Sequence, residues 1–322
     1  MIYVAEIIQP KYRGTSLTFT SILEMFGILI IYLTEYYVSG KAVSLLLSIF
    51  ASILFIGVFF MPETPYWYMM KKKKDKAMKS LFWLRNGNKA LIDFEIQEIE
   101  NNLDDINKIA PTFIKTIFDV RWWKILLIFS FYAILTELVG IDMIIPYMVQ
   151  FFDKFNLPQM DSRIMSIIFI FVALVGAIIT AFIVDKFERV PLVKFANLVN
   201  IILLLISGIC AKYINSSFLS IISLVCFGIY STTASISAST VPWTIISESL
   251  PTEFRATIFA TLSTEFTIIY FLIVKFFPTL LEILSVDYII YLLAFFSFLN
   301  YIYVHIFVKE TKGIILPGKQ NS

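Results

Sequence analysis

Charge is scarce in this sequence: Asp, Glu, Lys and Arg make up 16% of its 322 residues, and the net charge is only +2. Soluble domains carry about 25% charged residues. Histidine occurs once, at His305, and cysteine twice, at Cys210 and Cys226, each inside an apolar run. That scarcity leaves little for a disulfide framework, a metal site or a catalytic triad, so neither an enzyme nor a cofactor is expected. The small net charge also argues against a nucleic-acid partner. Hydrocarbon, by contrast, is abundant: 58% of residues are apolar, Phe alone contributes 32, and mean hydropathy is +0.81. No single globule of this size hides so much apolar surface from water. An all-α, multi-pass membrane protein embedded in a lipid bilayer is therefore expected.

A bilayer core of about 30 Å needs roughly 20 apolar residues as helix. Eight stretches reach that length, at 15–38, 42–61, 123–151, 164–184, 191–211, 217–246, 256–277 and 286–308. Turn or charge signals such as Ser39-Gly40-Lys41 and Asp185-Lys186-Phe187-Glu188-Arg189 separate them. Runs this continuous do not suit the short alternating strands of a membrane barrel. Most of the 26 Lys and Arg fall in the segments before 15, at 62–122, at 185–190, at 247–255 and after 308, counted with the edge residues Lys124 and Lys194. Lys41, Lys154, Arg163, Lys212 and Lys275 are left for the other side. Positive charge marks the cytosolic face, so both termini are expected in the cytosol, with the plasma membrane as the location. Asn215-Ser216-Ser217 matches a glycosylation sequon on the outer side, in a loop short enough to leave it unused.

The polar stretch 62–121 opens near Lys71-Lys72-Lys73-Lys74 and carries Ala77, Leu81 and Leu84, then Ile92, Ile96, Ile99, Leu103 and Ile106. The second set recurs at alternating steps of four and three, one face of a helix. Acidic and amide residues fill the opposite face, so short amphipathic helices against the cytosolic end are expected. The lysine run reads as a solvated or headgroup contact.

Six blocks at the expected cytosolic junctions and in one span, in order along the chain, carry a resemblance. They are Tyr3-Val4-Ala5-Glu6 with Pro10 and Arg13-Gly14; Pro62-Glu63-Thr64-Pro65-Tyr66-Trp67; and Gly140-Ile141-Asp142 through Tyr147 and Gln150. Val184 to Arg189, Pro242-Trp243 with Glu248, Pro251 and Arg255, and Glu310-Thr311-Lys312-Gly313 complete the set. Together they resemble the sugar-porter family of the major facilitator superfamily. Leu81-Phe82-Trp83-Leu84-Arg85 leans toward the insect-type facilitated trehalose transporters. The resemblance implies an incomplete major facilitator fold of about eight transmembrane helices plus a cytosolic helical loop domain. Met1 would fall near the end of the family's fourth helix. Residues 1–61 would be a remnant of the N-terminal bundle, 62–121 the loop domain, 122–308 the C-terminal six-helix bundle, and 309–322 a tail.

The resemblance further implies facilitated diffusion of a hexose or a trehalose-like disaccharide by alternating access. Such a carrier makes no bonds; it replaces the sugar's hydration with side-chain hydrogen bonds in a cavity between helices. The positions it assigns to substrate are Ser21, Thr136, Glu137, Asp142, Tyr147 and Trp243, with Trp243 as an aromatic platform. Ala173 and Phe266-Thr267 stand where the family has amides and a second tryptophan. Carboxyl groups at 137 and 142 accept hydrogen bonds without donating unless they are protonated. Pro146 stands where the family has a gating tyrosine and would free the carbonyl of Asp142, placing a kink there. Glu24, Glu137, Asp142 and Glu265 lie inside spans and should each face a cavity or a partner, serving either proton coupling or packing. Cytosolic gate charges would pair Glu6 with Arg13, Asp185 with Arg189, and Glu248 with Arg255. The other reading is a truncated or degenerate homologue without transport activity, acting as a sensor or partner or not at all. Composition says nothing of oligomeric state.

Overall fold

The computed structural model describes residues 7, 13–109, 120–155, 161–184, 186–212, 217–250 and 255–310; at some of these, including Arg13, Ser21, Glu248 and Arg255, it describes the backbone alone. The described residues form helices and turns with no strand among them. Contacts divide the chain into two compact units, Met1–Thr20 with Tyr37–Thr112, and Ser21–Tyr36 with Phe113–Ser322.

In the first unit, helix α2 (Gly40–Phe59) buries only Val43, and Leu54, Phe55 and Phe59 are exposed. Three further helices follow it: α3 (Pro65–Met70), α4 (Lys74–Leu84) and α5 (Lys89–Ile109). Pro65 at the first turn of α3 needs no donor, and Thr64 caps that turn by accepting the Trp67 N–H at 3.1 Å. Met69, Ala77, Leu81, Ile92 and Ile96 make a small core, with Ile99 packed on it. The helical face expected from the isoleucine spacing is thus the buried one; Leu103 and Ile106 lie outside the described side chains. Arg85 and Glu95 pair at 2.8 Å with both side chains mostly shielded. Lys74, the last residue of the lysine run, pairs with Glu100 at 2.8 Å in the open, where such a pair contributes about 0–1 kcal/mol.

The second unit carries residues Ser21–Tyr36 of helix α1 (Arg13–Tyr37) and the remaining helices. These are α6 (Val120–Leu138), α7 (Ile141–Ile144), α8 (Met148–Asp153), α9 (Ser162–Ile183), α10 (Arg189–Lys212), α11 (Ser217–Ala234), α12 (Thr240–Ser249), α13 (Arg255–Ile283) and α14 (Val286–Phe307). Across both units, six helices among the described residues are long and apolar enough to cross a membrane, or seven if the bent pair at Trp122–Leu138 and Ile141–Asp153 is one span. Helix α1, expected as the first span, is not among them; it carries Glu24 and Glu35. Helix α13 also departs from expectation: it runs through Pro278 to Ile283 instead of ending at 277. Phe277 and Leu281 are buried there, and the Lys154 ammonium donates to the Leu281 carbonyl, so packing holds the turn that proline weakens.

Between membrane helices lipid is as apolar as Leu, so small residues and interhelical hydrogen bonds carry the association. Ser207 of α10 and Ser223 of α11 exchange hydroxyl-to-carbonyl bonds at 3.1 and 2.9 Å. Gly176 of α9 lets α11 approach so closely that a Cβ there would sit 2.7 Å from Thr232 Cα. Between α11 and α12, Ser235–Ser239 widens into a π-helical turn. Pro242 has no N–H for the Ala238 carbonyl, which accounts for the lost α-helical register. Asn200 of α10 braces that turn, donating to Ser237 Oγ at 2.9 Å and accepting from Thr233.

Candidate functional site

The bent span begins where helix α6 stops at Leu138. Gly140 has φ +94°, a left-handed conformation that a side chain would resist, and the chain turns by 45° before α7. A 3₁₀ turn at Ile145–Tyr147 then leads into α8. The main break therefore lies at Gly140, ahead of the position expected from Pro146; the proline tightens the chain into the 3₁₀ turn. Broken backbone is tolerated at membrane depth only where other groups satisfy its carbonyls. Tyr230 of α11 donates to the Val139 carbonyl at 2.5 Å, and Tyr32 of α1 donates to that of Ile145.

Around this break the assigned substrate residues separate. Thr136 is 3% exposed and donates to the Tyr132 carbonyl at 2.7 Å, so its hydroxyl proton serves its own helix rather than a cavity. Glu137 is also 3% exposed, and its Oε1 is buried with no hydrogen-bond partner. Asp142, half-buried, interacts electrostatically with Glu137 and Glu24. Tyr147 is half-buried and packs on Phe277 at 5.9 Å. With Tyr32, Glu35, Gln150 and Arg163 it lines a cavity of about 240 Å³. Trp243 is not brought to this group: it packs in the cluster of Trp122, Leu126 and Ile258, edge-on to Phe266 at 5.0 Å and Phe259 at 5.6 Å. Its aromatic partner is thus the Phe266 noted above, while Thr267 is exposed and bonds within its own helix. The side chain of Ser21 lies outside the described residues.

Among the other acids, Glu265 accepts the Ser130 hydroxyl at 2.5 Å, a packing contact between α13 and α6. Of the gate charges, Glu6 and Asp185 lie outside the described residues, as do the side chains of Arg13, Glu248 and Arg255. At Arg189 the structure shows another partner. Glu310 spans the first two amides of α10, accepting from Arg189 N at 3.2 Å and Val190 N at 2.9 Å. A carboxylate at a helix N-terminus satisfies orphan donors and opposes the positive end of the dipole. Sequence reading quoted Glu310 in a terminal block but did not assign it a partner. Tyr32, Tyr230 and Tyr270, which gather at the break, were also missed; nothing in their local spacing marks them.

Among the described residues no three His, Cys, Asp or Glu side chains converge at metal-holding distance.

Comparison with known proteins follows the same lines. The chain is 26% identical over 317 residues to the facilitated trehalose transporter Tret1 of Bombyx mori, covering 97% of this chain and 62% of that protein. It is 27% identical over 316 residues to the glucose transporter GlcP of Staphylococcus epidermidis, covering 97% of this chain and 70% of that one. It spans only 36% of the Tret1 of Drosophila willistoni. The major facilitator superfamily proton:xylose symporter XylE, solved with 6-bromo-6-deoxy-D-glucose, superposes with TM-score 0.78 at 22% identity, covering 98% of this chain and 68% of that one. Inward-open XylE from E. coli gives 0.76. At such identity the likeness establishes the fold alone, a helical one of the major facilitator type. The model of the family "Sugar (and other) transporter" matches residues 1–319. With its apolar spans, its broken helix and this match, the chain is an integral multi-pass membrane protein and belongs to the sugar transporter family.

Proposed function

We propose that this chain carries the substrate-handling half of a sugar carrier, moving a hexose or a trehalose-like disaccharide by facilitated diffusion with alternating access. The broken span carries this reading: Gly140 interrupts a membrane helix beside the acceptor-rich Glu137 and Asp142, with tyrosines closing the open backbone. Unwound helix beside polar side chains suits a site that must replace water around a polyol and then release it. Residues 62–121 would lie on the cytosolic side, with both termini, in the plasma membrane. Trp243, bedded on Phe259 and Phe266, would serve as a wall of the pathway.

The test is counterflow of labelled glucose and labelled trehalose into proteoliposomes holding the full chain. Saturable exchange above protein-free vesicles is expected, reduced at least tenfold by Trp243→Ala. The absence of exchange for every sugar would favour the second reading, a non-transporting homologue. Thr136 gives that reading its support, since its hydroxyl is committed to Tyr132.

A further inference from the structure

Three carboxylates on α1, α6 and α7 lie within electrostatic reach, Glu24 of Asp142 and Asp142 of Glu137. Glu137 comes from the last turn before the break and Asp142 from the first turn after it; Glu24 of α1 interacts electrostatically with Asp142. Tyr270 of α13 interacts with all three and with Tyr147. Among the described residues none of the three acids is in an ion pair. Glu137 sharpens the case: the residue is buried, at 3% exposure, yet its Oε1 has no hydrogen-bond partner. A buried acceptor of this kind is left waiting for a donor that the protein does not supply.

The chemistry of that donor can be narrowed. Like charges in a poorly solvated site repel, and a neutral polyol relieves none of that repulsion. A divalent metal would need the acids to converge, and among the described residues no such convergence exists. An ammonium group fits better: it has three donors, no acceptor and a positive charge, the complement of acceptor-only carboxylates. Tyrosine rings such as those of Tyr147 and Tyr270 can take a cation on a π face, and tyrosine hydroxyls can both donate to and accept from sugar hydroxyls.

We infer that Glu24, Glu137 and Asp142, with Tyr147 and Tyr270, recognise an amine-bearing sugar through its ammonium group. This deepens the sugar-carrier reading and rests on it.

Competition binding on the full chain in proteoliposomes tests it, with labelled glucose as tracer and glucosamine, glucose and N-acetylglucosamine as competitors. The assay runs at about pH 6, where an amine of pKa about 7.7 is charged. Glucosamine is expected to compete at least tenfold better than glucose, and N-acetylglucosamine, which keeps the nitrogen but not the charge, no better than glucose. Glu137→Gln and Asp142→Asn should each bring the glucosamine-to-glucose ratio down toward one, while Glu282→Gln, an exposed acid near the far end of α13, leaves it unchanged. Because the ratio is read within each variant, a loss of folded protein cancels. Equal competition by glucosamine and glucose would overturn the inference and leave the sugar-carrier reading standing. That is the result expected of a ring neutralised by protons. Failure of every sugar to bind would overturn both.

Discussion

Gly140 concentrates several demands in one residue. Its φ of +94° costs an L-residue roughly 1–2 kcal/mol, and a Cβ there would also meet Met143 Cε at 2.7 Å and the Leu293 side chain. Gly140→Ala should therefore destabilise the protein by about 2 kcal/mol or more, read as a lower melting temperature in detergent. A variant that melts with the wild type would mean that the break is soft and that α6 and α7 can straighten. The sequence placed the break at Pro146 because proline has a known local effect. The left-handed turn at Gly140 packs against Leu293, a residue far along the chain, and no local pattern reports that. The same holds for Thr136: its position matched a substrate role, but a mid-helix hydroxyl can be satisfied by the carbonyl one turn back, and here it is.

At the scale of elements, a broken helix survives only if its unpaired carbonyls are met from elsewhere. Tyr230 meets Val139 from α11 while its ring packs on Phe227 at 5.4 Å. Tyr230→Phe keeps that packing and strands a buried acceptor, a loss of about 1–3 kcal/mol. Tyr303→Phe is the matched comparison. Its hydroxyl donates at 2.7 Å to the Ile128 carbonyl, which lies inside α6, where the regular helical ladder already supplies a donor. Its loss should be no more than about 1 kcal/mol. Thermal melts of the two variants, with hydrogen exchange over residues 137–143, check this. Exchange should rise at the break for Tyr230→Phe alone. Elements whose order rests on local periodicity were legible beforehand. The face of α4 and α5 built from Ala77, Leu81, Ile92 and Ile96 is the buried one, and the apolar runs fall close to the observed helices. The bracing of the break was not legible, because its donors come from helices remote in sequence.

At the scale of the whole molecule, orientation across the bilayer is the property that composition argues most directly. Helix α9 offers a clean test, because it has 22 residues, about 33 Å at 1.5 Å each, against a hydrocarbon core of about 30 Å. Arg163 sits at its start and Lys186 just past its end, both exposed. The segment around Lys186 also holds Arg189, and it belongs to the basic side of the chain, whereas Arg163 belongs to the basic-poor side. By the bias of short loops, the end bearing Lys186 is expected to face the cytosol. In a background with Cys210→Ser and Cys226→Ser, an impermeant maleimide added to intact cells should label Arg163→Cys. It should reach Lys186→Cys only after permeabilisation. Labelling in the reverse order would invert the orientation and place the Glu310 cap on α10, expected at the cytosolic face, outside the cell. Equal labelling of both before permeabilisation would mean that α9 does not cross the membrane at all.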